Sequence, residues 1–88
     1  MNVKKLVMHT DAGHGWLEVP FSEVLRAGIA SAVSRCSYVK GDTVFLEEDC
    51  DAPRYLRMLE SFGEPFEISE SYIESSPIRN YTRYEYGF

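Results

Sequence analysis

The chain has 88 residues, which is enough for one domain and too few for two separate cores. Its hydrophobic content of 44% is typical of a globular protein, and no stretch holds the roughly 18 apolar residues that a membrane helix needs. The net charge of −5 argues against a general binder of the phosphate backbone, which needs a basic surface. The two cysteines form no CxxC pair, so we expect reduced, partly buried thiols.

The sequence pattern predicts five short strands, two helices and an extended tail. In chain order these are strand 3–9, strand 16–19, helix 20–27, strand 36–39, strand 43–47, helix 52–62, strand 66–73 and a tail over 78–88. Strands from distant parts of the chain are expected to pair in one mixed or antiparallel sheet, with both helices on one face. This ββαββαβ order predicts a single α+β domain over residues 1–88.

Local signals predict how the two helices begin and end. Gly28 is expected to end the first helix in a left-handed conformation, with Ile29 packing back on Val24. Asp51 is expected to cap the second helix, because a side-chain oxygen at this position accepts from free backbone N–H groups.

The strand over 66–73 has a less regular pattern. Phe66 and Ile68 are expected to face inward, since alternate residues of a strand share a face. Glu70 interrupts that alternation, which indicates a bulge or an early end of the strand.

Two polar clusters are candidates for metal chemistry. His9, Asp11 and His14 surround a glycine turn, and imidazole with carboxylate can ligate a metal. Residues 47–51 hold four carboxylates, which hard cations prefer. If both clusters meet at one end of the sheet, they form a site suited to zinc or manganese. The ligands in that case are His9, Asp11, His14, Glu48 and Asp49.

A simpler interpretation assigns both clusters to the backbone. Asp11 is expected to accept from backbone N–H groups of its own turn. Asp49 and Asp51 are expected to stabilise the positive N-terminus of the second helix. Cys50 is poorly suited as a nucleophile, because the neighbouring acids oppose formation of its thiolate. No catalytic motif is recognisable, and no enzyme activity or cofactor is predicted.

The tail over 78–88 alternates tyrosine and arginine, which are residue types enriched at protein-binding hot spots. The candidate binding residues are Arg79, Tyr81, Arg83, Tyr84 and Tyr86. The alternatives are a tyrosine-rich strand that closes a small core, and stacking on single-stranded bases.

Charge is unevenly distributed along the chain. Residues 42–74 contain ten acids against Arg54 and Arg57, a net charge of −8, whereas residues 1–41 carry +2 and residues 75–88 carry +1. An acidic segment of this kind suits a basic partner.

Four stretches resemble a family of small proteins, without an established activity, that bacteriophages, prophages and plasmids encode. The stretches are residues 9–19 (HTDAGHGWLEV), the pair Ser37–Tyr38, residues 44–52 (VFLEEDCDA) and residues 76–79. The family pattern commonly has a proline where this chain has Ala12. The resemblance implies an origin on a mobile element and a bacterial cytoplasmic location.

Together these features predict a non-enzymatic binding module that contacts a host or phage protein. A membrane is not expected as a partner, nor nucleic acid as a direct ligand. Three alternatives stay open: a metal-binding protein or metal-dependent enzyme, a nucleic-acid mimic that inhibits a host defence enzyme, and a structural homo-oligomer formed through the tail.

Overall fold

Alternating apolar residues place six strands in one sheet within residues 2–86, the part of the chain that the computed structural model describes. The elements are β1 (Lys4–Thr10), β2 (Gly15–Pro20), α1 (Phe21–Arg26), β3 (Tyr38–Lys40), β4 (Thr43–Glu47), α2 (Ala52–Ser61), β5 (Phe66–Tyr72) and β6 (Thr82–Arg83). A short 3-10 helix over Pro77–Asn80 precedes β6. The predicted ββαββαβ order is confirmed, and the predicted tail supplies the additional strand. Gly87 and Phe88 of that tail lie outside the described residues.

The sheet is mixed and has the strand order β5-β1-β2-β4-β3-β6. Among the described residues, β1 and β5 pair in parallel, and the other four strand pairs are antiparallel. Strands β1 and β2 form a hairpin, and β3 and β4 form a second hairpin around Gly41, whose φ is +60°. Strand β5 and the two-residue β6 are therefore the edges of the sheet.

Both helices cover one face of the sheet, which we call the helix face. Alternate residues of β2 and β4 point to this face and are fully buried there beneath Val24 of α1 and Tyr55 and Leu59 of α2. These strand residues are Leu17, Val19, Val44 and Leu46. Burying each such side chain contributes about 1.5–3 kcal/mol, so this cluster is the main source of stability. The structure is an α+β domain with two helices on one face, as predicted.

The other face, which we call the tail face, is partly covered by the 3-10 helix and the residue that follows it. Trp16, Tyr38 and Phe45 form a second buried cluster there with Ile78, and Tyr81 packs against it. The chain after β5 thus returns across the sheet before β6 pairs with β3.

The end of α1 agrees with its prediction. Gly28 has φ +74°, and the N–H of Ile29 donates to the carbonyl of Val24 at 3.2 Å. Val24 and Ile29 both belong to the buried core. This reversal turns the chain into the connection over residues 27–37, which leads to β3.

The prediction that Ile68 faces inward is wrong in part. Ile68 is opposite Leu6 and so lies on the helix face, but its side chain is 42% exposed. Because β5 is an edge strand, it lies at the margin of the area that the helices cover. No bulge forms at Glu70, since the pairing with β1 continues unbroken to Tyr72.

Candidate functional site

The carboxylate of Asp11 is saturated by hydrogen bonds at the end of β1. Its Oδ1 accepts from the backbone N–H groups of Gly13 (3.0 Å) and His14 (2.9 Å), which confirms the predicted role in the turn. Arg79 donates from Nε to Oδ2 (2.6 Å) and from Nη2 to Oδ1 (2.9 Å). Hydrogen bonding by Arg79, aided by the two backbone groups, holds the pKa of Asp11 well below its ordinary value despite burial. A guanidinium therefore already occupies the place that a metal would need.

His9 lies away from this turn, on the tail face. Its Nε2 is 2.6 Å from Oε1 of Glu18, and its ring packs edge-on against Phe45 with centroids 5.8 Å apart. His9 and Asp11 therefore bind different side chains. The structure does not bring the predicted metal ligands His9, Asp11 and His14 together.

His14 does meet the acidic cluster, because β2 pairs with β4 and sets Trp16 opposite Glu47. Its Nδ1 lies 3.8 Å from Oε2 of Glu47. Carboxylate oxygens of Glu47, Glu48 and Asp49 lie within 4.8 Å of one another. Part of the predicted ligand set is therefore close in space, with Glu47 added to it. The atoms that lie close to one another are carboxylate oxygens only, and His14 approaches this group through Glu47 without belonging to it.

Glu47 also has a structural role that the sequence analysis missed. It is 7% exposed, and its Oε1 accepts from the backbone N–H groups of Asp49 and Cys50, each at 2.9 Å. These bonds fix the turn that leads into α2. Such local bonding is typical of the shorter Asp and Asn side chains, so nothing in the local sequence indicates this role for a glutamate.

Asp51 joins the connection over residues 27–37 to the start of α2. Its carboxylate is 1% exposed and accepts from the N–H of Ser34 (3.0 and 3.1 Å), the hydroxyl of Ser34 (2.7 Å) and the hydroxyl of Ser37 (2.5 Å). The Ser37 oxygen in turn accepts from the N–H of Glu47 at 2.9 Å. Asp51 stands at the capping position of α2, but its side chain makes no capping bond, so that prediction is wrong. The serines take the carboxylate instead.

The two cysteines lie side by side next to this network. Both are exposed, so the prediction of partly buried thiols is wrong, and their Sγ atoms are 3.9 Å apart. The contact with Cys36, and next the carboxylate of Glu47, raise the pKa of Cys50 to about 11. A thiol that stays protonated at neutral pH is a poor nucleophile.

Two of the five predicted binding residues serve mainly to dock the tail. Tyr84 is 2% exposed, belongs to the core of the helix face, and donates its hydroxyl proton to the carbonyl of Ala30. Tyr81 is half-buried and packs against Phe45 with centroids 5.3 Å apart. In this arrangement Tyr84 presents no surface to a partner.

The other three tail candidates reach the surface to different degrees. Arg79, besides its pair with Asp11, lies over the ring of Trp16 at 5.3 Å. Arg83 donates to the carbonyl of Arg35 at 2.7 Å, and Tyr86 is 52% exposed. The tail therefore covers the sheet first and offers only scattered side chains to solvent.

The free edge of β5 is the surface that the sequence analysis missed. On this strand, N–H and C=O groups of alternate residues point to opposite sides. Pro65 and Ile73 both bond to β1, through Lys4 N–H to Pro65 O (3.0 Å) and Ile73 N–H to Thr10 O (2.9 Å). By the same alternation, the backbone groups of Ile68, Glu70 and Tyr72 point away from the sheet. No strand within residues 2–86 pairs with them.

The side chains along this edge are apolar and acidic. Ile68, Tyr72 and Ile73 are 42%, 57% and 49% exposed. Glu67 and Glu70 are also exposed; Glu67 forms a surface pair with Lys5 (2.6 Å) and Glu70 accepts from the hydroxyl of Thr10 (2.8 Å). Charged residues are typical of natural edge strands. The sequence contains one signal of an edge strand: Glu70 is charged although the alternation of β5 places it on the same face as Ile68.

Comparison with known proteins adds no relative: no family model, curated protein or solved structure matches the chain. Within residues 2–86, none of the helices has the length and apolar character required to cross a membrane.

Proposed function

We propose that the protein is a non-enzymatic binding module that pairs the free edge of β5 with a basic, extended segment of another protein. The observation that carries the proposal is the row of outward backbone groups at Ile68, Glu70 and Tyr72. Added strands of this kind gain affinity from main-chain hydrogen bonds and specificity from alternate side chains.

Charge and apolar contacts along β5 support a partner of this chemistry. Glu67 and Glu70 lie on opposite faces, and β5 contains no lysine or arginine. A partner strand with basic residues opposite them gains cross-strand charge pairs. Ile68 and Tyr72 offer exposed apolar surface on the helix face for its other side chains.

The same charges oppose pairing between two copies of this chain. Antiparallel contact of two β5 edges brings four glutamates onto adjacent strands, two from each copy, and like charges on adjacent strands are destabilising. Self-association through this edge is therefore less well supported than pairing with a basic partner. With an origin on a mobile element, that partner would be a host or phage protein.

Two variants of β5 test the proposal in capture experiments from bacterial lysate. Ile68→Pro removes an outward N–H group and leaves the bonds to β1 in place, as proline permits on an edge strand. Glu70→Lys reverses one charge. Loss of one intermolecular hydrogen bond or charge pair costs on the order of 1 kcal/mol, so we expect each variant to reduce capture about five- to tenfold.

Matched controls separate the edge from general effects. Glu60→Lys makes the same charge reversal at an exposed position of α2, and Ile68→Ala removes the side chain but keeps the N–H. We expect Glu60→Lys to capture the wild-type set of proteins and Ile68→Ala to lose less than Ile68→Pro.

Three outcomes would contradict strand pairing. These are no captured protein, equal capture by all variants, and a self-associated wild type that Ile68→Pro turns into monomers. If Glu70→Lys and Glu60→Lys both lose capture while Ile68→Pro keeps it in full, the result would instead support the nucleic-acid mimic. Binding by a mimic depends on charge and not on backbone pairing.

A further inference from the structure

Two thiols that are distant in sequence meet at the surface. Cys36 lies in the connection over residues 27–37, and Cys50 lies in the turn between β4 and α2, 14 residues later. Their Sγ atoms are 3.9 Å apart and both residues are exposed. The pair is independent of the β5 edge and of the function proposed for it.

The backbone at both cysteines is held in place by hydrogen bonds. The N–H of Cys36 donates to the Ser34 hydroxyl oxygen (3.1 Å), and the N–H of Cys50 donates to Oε1 of Glu47 (2.9 Å). Asp51 binds Ser34 and so joins the two segments directly beside the thiols. A disulfide needs an S–S distance of about 2.05 Å, so the sulfurs must approach by roughly 2 Å, and disulfide formation requires that rotation of the two exposed side chains supply this approach.

We propose that Cys36 and Cys50 form a redox-active dithiol, which a low-molecular-weight disulfide oxidises to an intramolecular disulfide. Because the pKa of Cys50 is raised, the Cys36 thiolate makes the first attack on a sulfur of the small disulfide, forms a mixed disulfide and releases one small thiolate. The second cysteine attacks the protein sulfur of that mixed disulfide, forms the Cys36–Cys50 bond and releases the second small thiolate. The protein loses two electrons and two protons, and the small disulfide becomes two thiols.

The surroundings favour disulfide formation over a thiolate metal site. Structural zinc sites use four protein ligands. Within residues 2–86, one group of three candidate ligand atoms lies within 4.8 Å of one another. It comes from Glu47, Glu48 and Asp49, and neither cysteine belongs to it. The two sulfurs are sufficient for a disulfide, whereas within the described residues no third ligand atom lies within 4.8 Å of both of them.

The disulfide would tie the connection over residues 27–37 covalently to the start of α2. At present Asp51 makes that link through Ser34 and Ser37. A covalent link that closes the loop between the cysteines restricts the unfolded chain, so the oxidised protein should unfold at a higher temperature than the reduced protein.

The experiment is a redox equilibration of the full chain with reduced and oxidised glutathione, followed by alkylation and intact-mass measurement. We expect two alkylatable thiols under reducing conditions and none under oxidising conditions, with a mass lower by two hydrogen atoms. Peptide mapping should then find Cys36 joined to Cys50, and dithiothreitol should restore both thiols.

The single variants Cys36→Ser and Cys50→Ser are the matched controls, since both sites are exposed and tolerate the change. Cys50→Ser should accumulate a stable glutathione adduct on Cys36, because no second thiol resolves it, whereas Cys36→Ser should form its adduct more slowly because the pKa of Cys50 is raised. Persistent adducts on the wild type, disulfide-linked dimers, or thiols that stay alkylatable under oxidising conditions would overturn the proposal. Protection from alkylation only by added Zn²⁺ would also overturn it, in favour of a metal dithiolate.

Discussion

Replacement of Asp51 by serine distinguishes two roles for this carboxylate. If Asp51 mainly capped α2, serine would serve nearly as well, and the free energy of unfolding would change by only a few tenths of a kcal/mol. In the structure, the carboxylate instead accepts from three donors, the N–H and hydroxyl of Ser34 and the hydroxyl of Ser37. Hydrogen bonds to a charged group contribute about 1.5–3 kcal/mol each, and a serine can replace one of them at most. Because such terms are not additive, we expect Asp51→Ser to cost about 3 kcal/mol.

Urea unfolding followed by circular dichroism measures this loss. With a slope near 1 kcal/mol per molar for a small domain, the midpoint should fall by about 2–3 M. Asp49→Ser is the matched control, since it makes the same change at an exposed position two residues earlier, and it should shift stability by less than about 0.5 kcal/mol. A loss below about 1 kcal/mol for Asp51→Ser, or equal losses for both variants, would refute the network and restore the capping role.

Two further predictions concern charged residues. Hydrogen bonding with Arg26 lowers the pKa of Glu23 from 4.5 to about 2, so its contribution to stability is complete above pH 4.5 and is lost as the pH falls towards about 2. Urea titrations across this range should show a smaller acid dependence for Glu23→Gln than for the wild type; an unchanged dependence would contradict the assignment. Arg79→Ala leaves the carboxylate of Asp11 without its cation, so we expect a lower thermal midpoint and altered tryptophan fluorescence, with no such change for the exposed Arg57→Ala. Equal thermal midpoints for the two arginine variants would show that the pair with Asp11 is not important.

Local patterns were sufficient to predict most elements of the fold. The stripe of Tyr55, Leu56 and Leu59 marks α2, and Gly28 with Ile29 marks the end of α1, because both signals involve residues within one or two helical turns. The position of β5 was beyond such reasoning. Whether a strand is central or at an edge depends on pairing between segments about 60 residues apart, so the exposure of Ile68 was predicted incorrectly.

The candidate sites show the same division between local and distant contacts. The turn bonds of Asp11 were predictable because the acceptor and donors are two and three residues apart. Its pair with Arg79 joins residues 68 positions apart, and nothing near either residue indicates it. The thiol pair is likewise a product of tertiary structure, since the two cysteines are 14 residues apart and lie on segments that Asp51 joins through Ser34.

Four of the ten acids in residues 42–74 lie in two different environments. Glu47 and Asp51 are buried and accept hydrogen bonds from backbone and serine donors, so their carboxylates are not available to a partner. Glu67 and Glu70 are exposed on β5, among backbone groups that point outward. A nucleic-acid mimic would need most of the −8 charge at the surface, whereas strand pairing needs only the few charges along one edge. Eight of the ten acids in this segment are exposed or half-buried, so charge alone does not separate the two proposals; strand pairing is supported instead by the outward backbone groups of Ile68, Glu70 and Tyr72.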